Sequence, residues 1–299
     1  LYSAENPPVG AWITYYVKDE IKSLKDKRKA AEKESENDYY PTLNQLEKED
    51  LEESPYLVFT ITDQNGNFVR RITQPYKTGL NRVVWDFKYA STAPVSGDKN
   101  NSGRWALPGK YKVSVGKNVD GKYIDLGASE TFNCIPLNNN TLAAKDIVAL
   151  NEFSEKVADL SRVVSGANAY RAELTKRLAT IKSAIKYSSL DAKNMEQVKS
   201  LELELHGINE ALNGDGTKSG REFETLPGIN RRVSFIIWNL YGSTSAPTET
   251  FRSDYEIAYE LIKPVLDDLK ALTSAIEALE NNLEEINAPY TPGRLPKLK

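Results

Sequence analysis

The second half of the chain carries apolar residues in steps of three and four, and it cannot fold without burying them. Leu150, Phe153, Val157, Leu160, Val164, Ala167, Leu174, Leu178, Ile181 and Ile185 fall on one helix face. A second run reads Val198, Leu201, Leu205, Ile208 and Leu212. A third reads Tyr255, Ala258, Ile262, Val265, Leu269, Leu272, Ile276, Leu279, Leu283 and Ile286, with a shorter segment, Val233, Ile236, Ile237 and Leu240, before it. Facing stripes cover one another, so the spacing predicts an all-α bundle of four-helix type over 138–299. Leu160, Leu178, Leu205, Leu269 and Leu279 are its expected interior. Glu280 and Asn281 lie off the stripe and are expected to tolerate alanine.

The first half has a different period. Leu57, Phe59 and Ile61 alternate with Val58 and Thr60; Val83, Trp85, Phe87 and Tyr89 with Val84, Asp86 and Lys88; Tyr111, Val113 and Val115 with Lys112 and Ser114. Phe132 and Cys134 continue the pattern, and shorter strands are expected near Trp12–Val17, Phe68–Ile72 and Tyr123–Leu126. Such segments are half-buried strands, and Asn65-Gly66-Asn67, Pro108-Gly109 and Asp120-Gly121 are their turns. About seven strands imply an antiparallel Ig-like β-sandwich over 1–137. The fold class is therefore α+β in two domains. A charged segment, about 18–53, interrupts the strands, with helix expected over Glu20–Glu36 as a solvated cover or partner-binding arm.

Boundaries follow from local signals. Asn140 or Thr141 is the expected cap of a first helix running to about Tyr187, roughly 70 Å long with a bend at Gly166. Ser188 or Ser189 should cap the second helix, and Asn213–Gly220 reads as a loop. The third helix follows Gly228, and Ala246-Pro247-Thr248 opens the last one, with Pro264 inside it. The tail from Pro289 is not helical.

The net charge of −3 leaves no basic excess for phosphates, so no nucleic-acid partner is expected, and no apolar run reaches the roughly 20 residues of a membrane span. Cys134 is the only cysteine, which rules out an intrachain disulfide and Cys-rich zinc sites; it reads as a buried small hydrophobe. His206, the only histidine, follows Leu205 and is expected at the surface of its helix. The chain opens at Leu1 without an initiator Met or a signal peptide, which reads as a fragment or processed product.

Residues that invite a chemical reading are few. Asp63-Gln64-Asn65-Gly66-Asn67 has the wrong spacing for a calcium loop and reads as a hairpin turn. The Gly214–Gly220 run lacks the Gly-Lys-Ser/Thr order of a phosphate loop. Asn100-Asn101-Ser102 and Asn139-Asn140-Thr141 match the glycosylation sequon. Trp12, Tyr15, Tyr16, Trp85 and Trp105 could stack on sugars. Trp85 belongs to the core by its alternation, while Trp105, in the polar segment Ala90–Leu107, is the ligand candidate. Trp238 and Tyr241 are expected to pack inside. No catalytic residue, cofactor site or metal site is assigned.

Two blocks carry a resemblance. The segment from Tyr56 through Val69-Arg70-Arg71, Gly79-Leu80-Asn81-Arg82-Val83-Val84-Trp85-Asp86 and Leu107-Pro108-Gly109-Lys110-Tyr111-Lys112-Val113 resembles the Ig-like module of the flagellar hook-capping protein and of many secreted bacterial enzymes. Asn6-Pro7-Pro8-Val9-Gly10-Ala11, the charged helix, this block and the terminal Ala288-Pro289-Tyr290-Thr291-Pro292-Gly293-Arg294-Leu295-Pro296 together look like the C-terminal region of large secreted proteins with sortilin-like or sialidase-like propellers, commonly described as glycosyl hydrolases. No Ser-x-Asp-x-Gly-x-Thr-Trp propeller repeat occurs here, so no propeller activity is carried onto a residue of this chain. The resemblance implies a non-catalytic accessory or scaffold region that supports or docks the N-terminal propeller domain of a parent protein. It also implies a secreted, periplasmic or cell-surface location. The alternatives are a module binding a glycan or cell-surface protein, or a hydrolase in its own right.

Overall fold

The structure is a computed structural model that describes residues 4, 6–34, 40–95, 102–137 and 145–298. The fold is α+β, with antiparallel sheets followed by helices. The chain divides into two compact units, Leu1–Ser91 with Asn100–Asn138, and Thr92–Lys99 with Asn139–Lys299.

The first unit contains β1 (Ala11–Val17), α1 (Leu24–Glu34), α2 (Leu43–Leu51), β2 (Tyr56–Asp63), β3 (Phe68–Pro75), β4 (Gly79–Trp85), β5 (Lys88–Ala90), β6 (Ser102–Trp105), β7 (Gly109–Val119) and β8 (Lys122–Cys134). The strands form a four-stranded sheet, β3-β2-β7-β8, and two ribbons, β1-β4 and β5-β6. Alternation explains the burial. Leu57, Phe59 and Ile61 of β2 and Tyr111 and Val113 of β7 meet Val17, Val83 and Trp85 of the β1-β4 ribbon in one core. Where β1 begins, a side chain on Gly10 would place its Cβ 2.2 Å from the Trp85 carbonyl oxygen, so the close approach requires glycine.

Several expectations change. Val83–Tyr89 is two strands, because Phe87 takes the left-handed conformation (φ 56°) and breaks the ladder after Trp85. Tyr123–Leu126 and Phe132–Cys134 are one strand, β8, which keeps its ladder with β7 by bulging at Leu126 and Gly127. The described strands therefore number eight. The charged segment forms two short helices with no buried residue in either. Its charges explain this: Arg28 is bonded to Glu49 of α2 (2.6 Å) and to Glu32, so the helices meet through ions rather than an apolar face. Thr42 and Gln45 close a reciprocal capping box at the start of α2. Cys134 is only half-buried, packed at the margin of the core.

The second unit holds α3 (Ile147–Lys186), α4 (Asn194–Asn213), α5 (Gly216–Ser219), α6 (Ile229–Leu240) and α7 (Glu249–Glu285). Helix α3 contacts α4, α6 and α7, and α7 contacts α4 and α6. The apolar stripes meet as expected: Leu160, Leu178, Leu205, Leu269 and Leu279 are all buried. A second cluster gathers Phe153, Val157, Ile236 and Leu240. Helix α3 is continuous through Gly166 and, at 40 residues, about 60 Å long.

The caps differ from expectation. Asn140 and Thr141 lie outside the described residues; the Asp146 carboxylate caps α3 by accepting from the Ala149 N–H at 2.9 Å. Helix α4 begins at Asn194, beyond Ser188 and Ser189, with no side-chain cap. Part of the expected Asn213–Gly220 loop is α5, capped by Asp215. Thr248 caps α7, which runs on through Pro264. The largest correction is Glu280. It is only 3% exposed and receives two hydrogen bonds from the Arg177 guanidinium, at 3.0 and 2.7 Å. Tail residues complete this site. Gly293 lies so close that an added Cβ would sit 2.9 Å from the carboxylate, and Arg294 reaches Glu284 (3.4 Å) and the carbonyls of Ala288 and Pro289.

Candidate functional site

Trp105 closes β6, which pairs with β5 so that Trp105 stands opposite Lys88. The expected polar loop around it is thus partly strand. The Phe87 corner sets the geometry. Asp86 accepts from the Lys88 N–H (3.2 Å) and from the Ser102 hydroxyl, the Trp85 indole donates to the Lys88 carbonyl (2.9 Å), and the Ala106 N–H donates to the Phe87 carbonyl (2.8 Å). These bonds hold Lys88 over the Trp105 ring, with Nζ 4.5 Å from its centroid. Beneath the ribbon, Arg70 donates to the Tyr89 carbonyl (2.7 Å), and the buried Arg104 guanidinium stacks on the Tyr89 ring at 3.8 Å. Trp105 keeps 38% of its surface exposed. A half-exposed indole beside an ammonium group can stack on a sugar ring and pair with an anion; it supplies no nucleophile.

The other aromatics separate clearly. Trp85 is fully buried, as its alternation predicts. Tyr15 packs inside against Phe59. Trp12 and Tyr16 face outward on β1, and Arg82 lies 4.7 Å over the Trp12 ring. Trp238 was expected to pack inside, yet it is 84% exposed, because it follows Ile237 onto the outer face of α6. Tyr241 does pack against the Phe153 cluster.

The described ionisable groups with displaced pKa values are engaged by hydrogen bonds or burial within the fold. Hydrogen bonding to Glu280 raises the Arg177 pKa, and hydrogen bonding to Arg28 lowers that of Glu49. Burial pushes the Asp63 pKa up, but bonds from the Asn67 side chain and the turn N–H groups together outweigh it and leave it lowered. That is the chemistry of a hairpin turn, in which Asp63 accepts from Asn65 and Asn67. Burial raises the pKa of Tyr111 and of the Cys134 thiol. His206 is exposed, 3.6 Å from Glu210, at the edge of a shallow groove between α3 and α4. A second groove of about 410 Å³ between α3 and α7 holds Tyr170 and Thr273, already bonded to each other at 2.9 Å. Among the described residues, no group of three or more His, Cys, Asp or Glu side chains could hold a metal ion, and no helix is long and apolar enough to cross a membrane.

Comparison with protein-family models, with curated proteins and with solved structures gave no match.

Proposed function

We propose that this chain is a non-catalytic scaffold: an Ig-like sandwich and a four-helix-type bundle that support or dock a propeller domain of a secreted or cell-surface protein. The observation that carries the reading is the use made of ionisable groups. Among the described residues, each one with a displaced pKa faces a structural partner, such as an ion pair (Arg28–Glu49, Arg177–Glu280), a cap (Asp215), a turn (Asp63) or the packed core (Tyr111). Structural networks displace pKa values as active sites do, and among the described residues each displaced group has such a structural cause. The sequence resemblance supplies the propeller as partner. The test is turnover of the purified chain on sialosides and a broad glycoside panel. The scaffold reading expects none; robust turnover that disappears on removing one acidic pair overturns it in favour of a hydrolase.

One observation favours a second reading, a glycan-binding module. The Lys88–Trp105 pair is built by the strained Phe87 corner rather than by chance surface exposure. A glycan array comparing the native chain with Trp105→Ala decides it. Binding lost with the ring supports the module, and binding that is absent or unchanged removes it.

A further inference from the structure

Strand edges expose unpaired N–H and C=O groups, and proteins protect them with charges, prolines, bulges or short length. Among the described strands, every outer edge but one carries such a device. Strand β8 carries Lys122, Asp125 and Glu130 with its bulge at Gly127; β3 carries Arg70, Arg71 and Pro75; β4 carries Gly79 and Arg82; β5 and β6 have three and four residues, with Lys88 and Arg104. Strand β1 has none of these. Its seven residues, Ala11-Trp12-Ile13-Thr14-Tyr15-Tyr16-Val17, are uncharged, free of Pro and Gly, and rich in β-forming side chains. Among the described residues its backbone pairs with β4 alone, so its second edge is open.

We infer that the open edge of β1 pairs antiparallel with β1 of a second copy of this chain, centred on Thr14. The occupant follows from self-complementarity. In this register Thr14 faces Thr14 of the other copy, Trp12 faces Tyr16, Ile13 faces Tyr15 and Ala11 faces Val17. Aromatic and Thr–Thr cross-strand pairs stabilise sheets, and no like charges oppose each other. The arrangement is isologous, as a two-fold dimer requires. A one-residue slip would turn the second copy's core face outward, and of the registers that keep both core faces inward only the one centred on Thr14 pairs all seven residues. Arg82 bonds Thr14 (3.2 Å) and lies over Trp12 on the outer face, so each copy brings one guanidinium beside the central threonines, a repulsion that weakens the pairing without blocking the backbone edge. A seven-residue edge is smaller than the ~800 Å² per partner of a standard interface, so the dimer is weak and concentration-dependent.

Sedimentation velocity of the full chain from about 1 to about 500 µM covers the range of such interfaces. The expected result is a monomer–dimer equilibrium, with Thr14→Lys raising the dimer Kd at least about tenfold because two ammonium groups then oppose each other. A cross-link makes the register testable even if that variant folds poorly. In a Cys134→Ala background, Thr14→Cys should form an intermolecular disulfide under mild oxidation, because directly paired residues have Cα atoms about 4.5–5.5 Å apart. Leu80→Cys, exposed on the same face of β4, should not, since its two copies would lie about three strand spacings apart across the sheet and about four residues apart along it, roughly 20 Å in all. A monomer at all concentrations overturns the inference. A dimer that Thr14→Lys leaves intact, or equal cross-linking of the two cysteines, also overturns it.

Discussion

The strand core and the helix core solve the same burial problem with different side chains. In the first unit, rings dominate. Trp85 touches Phe87, Tyr111 and Phe132 at centroid distances of 5.3, 4.9 and 5.8 Å, and Tyr15 meets Phe59 at 4.9 Å. The polar atoms of the largest rings are satisfied: the Trp85 indole by the Lys88 carbonyl, the Tyr111 hydroxyl by the Leu107 carbonyl at 2.5 Å. In the second unit the main core is Leu, Ile, Val and Ala, and largely buried ion pairs punctuate it: Arg177–Glu280 between α3 and α7, Arg232–Asp254 between α6 and α7, and Arg294–Glu284 from the tail. Rings with directional bonds specify geometry through each contact. Aliphatic stripes specify it through spacing, and a buried ion pair adds a single fixed point.

The contrast predicts a hierarchy of losses. Trp85→Ala should be the most damaging single change, about 5 kcal/mol, since it removes a fully buried ring and an indole hydrogen bond. Urea unfolding followed by near-ultraviolet circular dichroism measures it. Glu280→Ala should cost about 3–4 kcal/mol by leaving the Arg177 guanidinium buried without its partner, whereas Arg177→Met with Glu280→Leu should fall within about 1 kcal/mol of the native chain. If the double change is as harmful as the single one, the pair does more than satisfy its own charges. Leu279→Ala should cost about 3 kcal/mol through the cavity it leaves. A cost equal to that of Trp85→Ala would show that ring geometry adds nothing over volume.

Alkaline pH separates the units further. Among the described residues, burial raises the pKa of Tyr111, Tyr15 and Cys134 in the first unit, but only of Tyr255 in the second. A raised folded value means that the native state holds its proton more tightly. That stability is complete below the unfolded values, about 8.5 for Cys and 10 for Tyr, and is lost as pH rises through the folded ones. The aromatic near-ultraviolet signal should therefore lose urea resistance above about pH 10. The helical signal at 222 nm should lose less. Equal losses would contradict the assignment. The smallest effect is Trp105→Ala, within about 1 kcal/mol, because the ring is half-exposed and its cation–ring contact with Lys88 lies at the surface.

The legibility of these features in the chain follows their range. The stripes of α3, α4 and α7 were readable because one local period dictates them, and every leucine named in them is buried except Leu150, which is half-buried at the start of α3. The Asp63 turn was readable because its bonds span only a few residues. Phe87 was not, since alternation continues through Tyr89 and only the Asp86, Ser102 and Ala106 contacts turn the chain. The Lys88–Trp105 pairing is set across that break, so Trp105 could be named but not its neighbour. Glu280 was misjudged because stripe position describes a helix alone; its partner lies 103 residues away. Trp238 was misjudged by composition, since a tryptophan on a helix with buried Val233, Ile236 and Leu240 can still fall on the opposite face.

The Arg177–Glu280–Gly293 arrangement also bears on how kin of this chain would be found. Heptad leucines are shared by unrelated coiled coils and discriminate poorly between families. An acid near the end of a long helix, a Gly-Arg step thirteen residues after it, and an arginine on the helix it packs against form a fingerprint in which each member is required by the others. A glycine there admits the chain beside the carboxylate, and a larger residue would force the pair apart. A sequence that keeps all three positions while its surface drifts should share this helical unit, whatever is joined to it.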